Sequence, residues 1–218
     1  SDLNVDKPIN WKRQSQFNGR YGVMGDLGMH ACHVPLRAGW RPRTVSAVLS
    51  NIVAERWTDA TRTSKTSCDT WDNATLLVET EDPRHGDVFP WSLRTYRIAP
   101  GERNSWYVEI LGAEASARWS SREPKTLHVL DNHNSEQTWQ HVQTGFETAY
   151  PTITGPIFEF GFTDAVLQMW AAYMNEVAAG ATPSRFAGCV RPDEAAMSHD
   201  LFTAALRAAD ERQVVTVS

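Results

Sequence analysis

Between Thr44 and Leu130 the chain passes through a series of short β-rich stretches, most of which alternate apolar and polar residues. They are Thr44 to Val53, Ala74 to Thr80, Ser92 to Ile98, Ser105 to Leu111, Ala115 to Trp119 and Thr126 to Leu130. Alternation, present in most of them, puts every second side chain on one face and so predicts a sheet with one buried face. Several are joined by turns such as Asp82-Pro83-Arg84-His85-Gly86, Pro100-Gly101-Glu102 and Gly112-Ala113-Glu114. Such links are far too short for a crossover helix, so the pairing must be mostly antiparallel.

Helical periodicity follows the strands. In Thr163 to Ala179 the residues Val166, Trp170, Tyr173 and Val177 form an apolar stripe, and Gly180 stops it. In Pro192 to Asp210 Met197, Leu201, Ala204 and Ala208 repeat that spacing behind a Pro192-Asp193-Glu194 start. Both stripes read as core. Gln213 to Val217 reads as one last strand. The predicted class is α+β: an open, mostly antiparallel sheet with helices on one face, its outer face available for oligomerisation. With 218 residues the chain reads as a single domain, 1–218, in which residues 1–25 are an extended lead-in.

The chemistry concentrates in Gly25-Asp26-Leu27-Gly28-Met29-His30-Ala31-Cys32-His33. The sequence predicts a helix from about Asp26 to Ala38, disturbed by Pro35 and leaving at Gly39. On an α-helix Asp26, His30 and His33 stand at i, i+4 and i+7 and share a face. A carboxylate beside an imidazole can orient it and tune its proton affinity, and histidine titrates nearest neutral pH. That is the layout of a general acid/base site. The same residues admit a purely structural account. Asp26 is a good helix N-cap, His30 could be a packed half-buried histidine, and His33 a surface one. As metal ligands the three would suit zinc or iron, but no His-Glu-x-x-His run accompanies them.

Composition closes other routes. The net charge of −5 and the lack of a basic stripe argue against a nucleic-acid partner. The polar start and the absence of a long apolar run argue against a signal peptide and a membrane helix. Cys32, Cys68 and Cys189 are an odd count without a Cys-x-x-Cys pair, which fits a reducing compartment and a cytoplasmic location. Residues 140–162, with His141 and Tyr150, read as a long irregular segment of the sort that often carries function.

The Gly25-Asp26-x-Gly28-x-His30-x-x-His33 run followed by a strand from Thr44 resembles the start of the C-terminal domain of the Gfo/Idh/MocA oxidoreductases. The resemblance continues through Asp72-Asn73-Ala74-Thr75-Leu76-Leu77-Val78 and Tyr107-Val108-Glu109-Ile110-Leu111-Gly112. It takes in the helix near Phe162, the Pro183 loop, the helix from Pro192 and the final strand, and so covers nearly the whole chain. It implies an open sheet with helices on one face, and a separate N-terminal Rossmann domain that binds NAD or NADP. It also implies a sugar or polyol substrate between the two, and homo-oligomers through the sheet. His30 would be the acid/base, Asp26 its catalytic partner, and His33 a substrate-binding residue.

The chain departs from the family pattern at several points. Gly19-x-x-Gly22-x-x-Gly25 is not Gly-x-Gly-x-x-Gly, and no apolar strand precedes it. There is no Glu-Lys-Pro; Lys7-Pro8 follows Asp6. The Rossmann part is therefore absent from this stretch, which reads as the C-terminal portion of a longer enzyme and as inactive by itself. His33 stands where many members have Asp, Pro35 interrupts the helix, and Ala115 replaces a turn glycine. Two other readings stay open: a non-catalytic binding or assembly module of this fold, and a metal-dependent hydrolase or isomerase using Asp26, His30 and His33.

Overall fold

In a computed structural model of the chain the residues described are 2–133, 136–144, 148–153, 158, 160–181 and 188–218. A 3-10 turn (Trp11–Arg13) and α1 (Ser15–Asn18) come first, then a π-helical turn (Met24–Gly28) that runs into α2 (Met29–Arg37). The strands β1 (Arg41–Ser50), β2 (Glu55–Trp57), β3 (Lys65–Ser67), β4 (Asn73–Asp82) and β5 (Asp87–Tyr96) follow. Then come β6 (Tyr107–Leu111), β7 (Ala115–Ser120), β8 (Thr126–Asp131), β9 (Gln140–Gln143), α3 (Phe162–Ala179), α4 (Pro192–Glu211) and β10 (Val215–Thr216). The class is α+β with open antiparallel sheets, as the alternation predicts.

The chain packs as two compact units, Ser1–Gly101 with Val190–Ser218, and Glu102–Cys189. The sequence suggests one sheet. Among the described residues the strands instead form two four-stranded sheets and a two-stranded ribbon. The sheet of the first unit ends at β5, after which come the turn formers Pro100 and Gly101 and the left-handed Asn104 (φ 52). None of these continues a ladder readily.

In the first unit the sheet order is β10-β1-β4-β5, antiparallel throughout. Val45, Leu76, Val78, Leu93 and Val215 are buried on one face. Leu201, Phe202 and Ala205 of α4 complete that core together with Val23, Met24 and Leu36 from the π turn and α2. The α4 stripe is thus core, as expected. Helix α4 starts with Pro192 at its first position, and the Glu194 carboxylate accepts the Arg191 N–H at 3.3 Å. The opposite face of the sheet leaves Val48 (70 % exposed) and Leu77 (57 %) in the open.

In the second unit β6, β7, β8 and β9 form a meander. Here the expected core stripe of α3 is corrected: Trp170, Tyr173 and Val177 are all exposed, and of the helix only Ala172 is buried. A helical apolar stripe demands a cover but does not say which element supplies it.

Two further expectations need correcting. The lead-in of residues 1–25 is not extended throughout, because it contains the 3-10 turn, α1 and the start of the π turn. Strand β9 opens the segment 140–162 that reads as irregular; its Gln-His-Val-Gln sequence shows no apolar alternation.

Candidate active site

The turn bearing Asp26 is shaped by two glycines. Gly22 has φ 56, and a Cβ there would come within 2.7 Å of the Trp71 backbone nitrogen. The close approach lets the Val23 N–H reach the Trp71 carbonyl at 3.1 Å. At Gly28 a Cβ would meet the Phe202 ring at 2.8 Å. The turn is thereby pressed onto α4 on one side and onto the loop before β4 on the other. Its first part is a π turn, a form that recurs at functional sites. The α-helix behind it ends at Arg37 despite the internal Pro35, with the Gly39 N–H on the Leu36 carbonyl at 2.9 Å.

Asp26 is held by two cations. Lys12 Nζ donates to Oδ1 at 2.8 Å and to Oδ2 at 3.0 Å, and an Arg97 Nη donates to Oδ2 at 3.0 Å. Burial pushes the carboxyl up. The Lys12 hydrogen bonds and charge, followed by those of Arg97, more than reverse this, so it sits below the ordinary carboxylate range. Asp26 is not an N-cap: the residues on either side of it are already helical, and its side chain caps nothing.

His30, on the first turn of α2, is exposed. Among the described residues no hydrogen bond or ion pair joins its imidazole to Asp26. The carboxylate is instead engaged by two full cations, Lys12 and Arg97, through charge-assisted hydrogen bonds. His33, a turn later, is half-buried with Nδ1 3.5 Å from a Glu194 oxygen. The other Glu194 oxygen takes Arg37 Nε at 2.9 Å, and both Arg37 and Glu194 are buried. Burial and the Arg37 charge push the His33 pKa down; Glu194 opposes them, and His30 adds to the lowering. Among the described residues no group of three His, Cys, Asp or Glu side chains is arranged to hold a metal.

Lys12 and Arg97 are the site residues that sequence reasoning misses. They lie 14 and 71 positions from Asp26. No local spacing could reveal them; the one available signal was a lone buried-type Asp in need of counter-charge. Below them the fully buried Arg13 and Asp72 form an ion pair. The second Asp72 oxygen accepts the Val53 N–H at 2.8 Å. Burial pushes the Arg13 guanidinium down to about 10.

The described residues do not fit a dinucleotide. No strand leads into the glycines of residues 19–28, and Gly28 is packed against Phe202 rather than open to a phosphate.

In fold the chain resembles the C-terminal part of several NAD-binding oxidoreductases of the Gfo/Idh/MocA type. An oxidoreductase domain protein from Kribbella flavida matches 99 % of this chain at 20 % identity and a TM-score of 0.78. A levoglucosan dehydrogenase in complex with NADH and levoglucosan matches 99 % of it at 21 % identity and a TM-score of 0.77. An inositol dehydrogenase homologue from Azotobacter vinelandii, complexed with NAD+, matches 94 % at 18 % identity and a TM-score of 0.67. The chain spans only 55 %, 55 % and 51 % of those three structures. No family model and no curated protein matches the sequence.

Proposed function

We propose that this chain is the substrate half of an NAD(P)-dependent dehydrogenase acting on a sugar, polyol or related hydroxy compound. The observation that carries the reading is a carboxylate, Asp26, held ionised one helical turn before an exposed, unengaged imidazole, His30, on a fold shared with sugar and polyol dehydrogenases. A nicotinamide supplies hydride acceptance when bound, and in this reading a separate dinucleotide-binding domain holds it. His30 takes the proton of the substrate hydroxyl. Asp26 is its carboxylate partner, one helical turn away. His33, braced by Glu194, binds a further hydroxyl. The geometry lends nothing to the metal-dependent reading.

The test is steady-state kinetics of His30→Ala in the complete dehydrogenase. Its kcat should fall roughly 10²–10⁴-fold, the usual worth of a positioned acid or base. Its melting temperature should hardly move, because His30 is exposed. Full activity with a lowered melting temperature would end the catalytic assignment.

We further propose that the chain assembles as a homo-oligomer through the outer face of the first unit's sheet, where Val48 and Leu77 are exposed as diagonal neighbours. No described helix is long and apolar enough to cross a membrane. The cysteines are free, with Cys32 and Cys68 buried, which supports placement in the reducing cytoplasm.

A further inference from the structure

We propose that Arg97 is the positioning residue of Asp26, a buried guanidinium that fixes one carboxylate oxygen and leaves the other free to exchange partners. The inference rests on the reading of Asp26 and His30 given above.

Arg97 follows directly on β5, and its backbone N–H donates to the Asp72 carbonyl at 2.9 Å. Its side chain is only 5 % exposed. Each arm of the guanidinium reaches a different segment. One Nη donates to Asp26 Oδ2 at 3.0 Å, the other to the Lys12 carbonyl at 3.1 Å, and Nε lies 3.8 Å from an Asp2 carboxylate oxygen. Arg97 therefore holds Asp26 and also the backbone of Lys12, the second cation on Asp26. Asp2 is anchored independently, since its carbonyl and that of Asn4 accept from the buried Arg56.

The two cations on Asp26 are not equivalent. Lys12 is 36 % exposed, carries a long flexible stem, and is the only one of the two that reaches Oδ1. Arg97 is buried, planar and held through all three arms, so little freedom is lost when it binds. If the Lys12 ammonium withdraws, Oδ1 is released to an imidazolium or a substrate hydroxyl while Oδ2 stays where Arg97 puts it. The charged groups facing Asp26 are Lys12 from the 3-10 turn and Arg97 from the end of β5, with Asp2 beyond Arg97.

The experiment has two arms. In the first, the Asp26 carboxyl is titrated by 13C NMR in the 218-residue chain and in its Arg97→Gln, Arg97→Lys and Lys12→Gln variants. Arg97→Gln should move the Asp26 midpoint up, and Arg97→Lys should restore part of the shift. In the second, the same variants are assayed in the complete dehydrogenase. Arg97→Gln should lower kcat roughly 10- to 100-fold, the scale of a misplaced group. It should also move the acid limb of the pH profile upward and leave KM nearly unchanged. Lys12→Gln should lose less. On an Asp26→Asn background, Arg97→Gln should cost nothing further in kcat. An Asp26 midpoint that ignores Arg97→Gln, or kinetic losses that add fully on the Asp26→Asn background, would overturn the proposal. If Asp26→Asn and His30→Ala both keep full activity while the NMR shift appears, the functional reading has failed and the positioning has not. Should Arg97→Gln fail to fold, the Arg97→Lys titration decides: an unchanged midpoint overturns the proposal and an upward one supports it.

Discussion

Lys12 Nζ sits 2.8 Å and 3.0 Å from the two carboxylate oxygens of Asp26. This ion pair joins the 3-10 turn near the start of the chain to the π turn ahead of α2. It engages the carboxylate that would otherwise be free to face His30. A candidate catalytic carboxylate is thus paired with cations rather than with the imidazole, and its behaviour with pH should show it.

The Asp26 carboxyl has its pKa below the ordinary carboxylate value in the folded protein. A depressed folded pKa contributes stability that is fully present above the unfolded value, about 3.9 for Asp, and is lost as pH falls through the folded one. Urea unfolding between pH 7 and pH 2 should therefore show wild type losing stability below about pH 4, with Asp26→Asn losing less over the same interval. Both side chains are partly exposed, so the effect should shrink in high salt.

His33 carries the opposite sign. Burial and Arg37 press its pKa below the ordinary value. Charging it costs the folded state, so stability should fall as pH drops from above the unfolded value of about 6.5 through the lowered folded one. His33→Gln should flatten the thermal-melt profile in that interval. In Glu194→Gln the opposing carboxylate is lost and the drop should steepen. A pH-independent wild type between pH 5 and 8 would count against this account.

Arg13 and Asp72 are fully buried partners. Removing one partner strands a charge, which typically costs about 3–5 kcal/mol. Arg13→Met and Asp72→Asn should each lower the free energy of unfolding, read from denaturant titration, by that order. The double variant should be less destabilised than the sum of the two, as a double-mutant cycle would measure.

Gly28→Ala would drive a methyl group to 2.8 Å from the Phe202 ring in the core. Overpacking of this kind costs roughly 1–3 kcal/mol. Pairing it with Phe202→Leu should recover part of the loss, and equilibrium unfolding of the three variants checks this. Because α4 and the Asp26 turn meet at this contact, Gly28→Ala should also depress activity more than its stability loss alone explains.

Sedimentation velocity should find an oligomer that Val48→Glu with Leu77→Glu reduces to a monomer. Both side chains lie on the exposed face, so the double variant should keep its melting temperature. An unchanged mass would remove the sheet face as the interface.

The β-rich, largely alternating stretches determined by themselves where β1, β4, β5, β6, β7 and β8 lie, because a strand with one buried face tends to alternate. The α4 stripe likewise gave both the helix and its buried side, from Leu201 to Ala208. The glycine-bounded turn with Asp26, His30 and His33 was also legible, as local spacing. Tertiary structure decided the rest. The sequence could not say that the α3 stripe would stay exposed, or that the strands would divide among separate sheets, since periodicity specifies a face and not its cover. Nor could it choose the partners of Asp26. A carboxylate forms charge-assisted hydrogen bonds with whatever cation comes within reach, and chain folding alone brings Lys12 and Arg97 there.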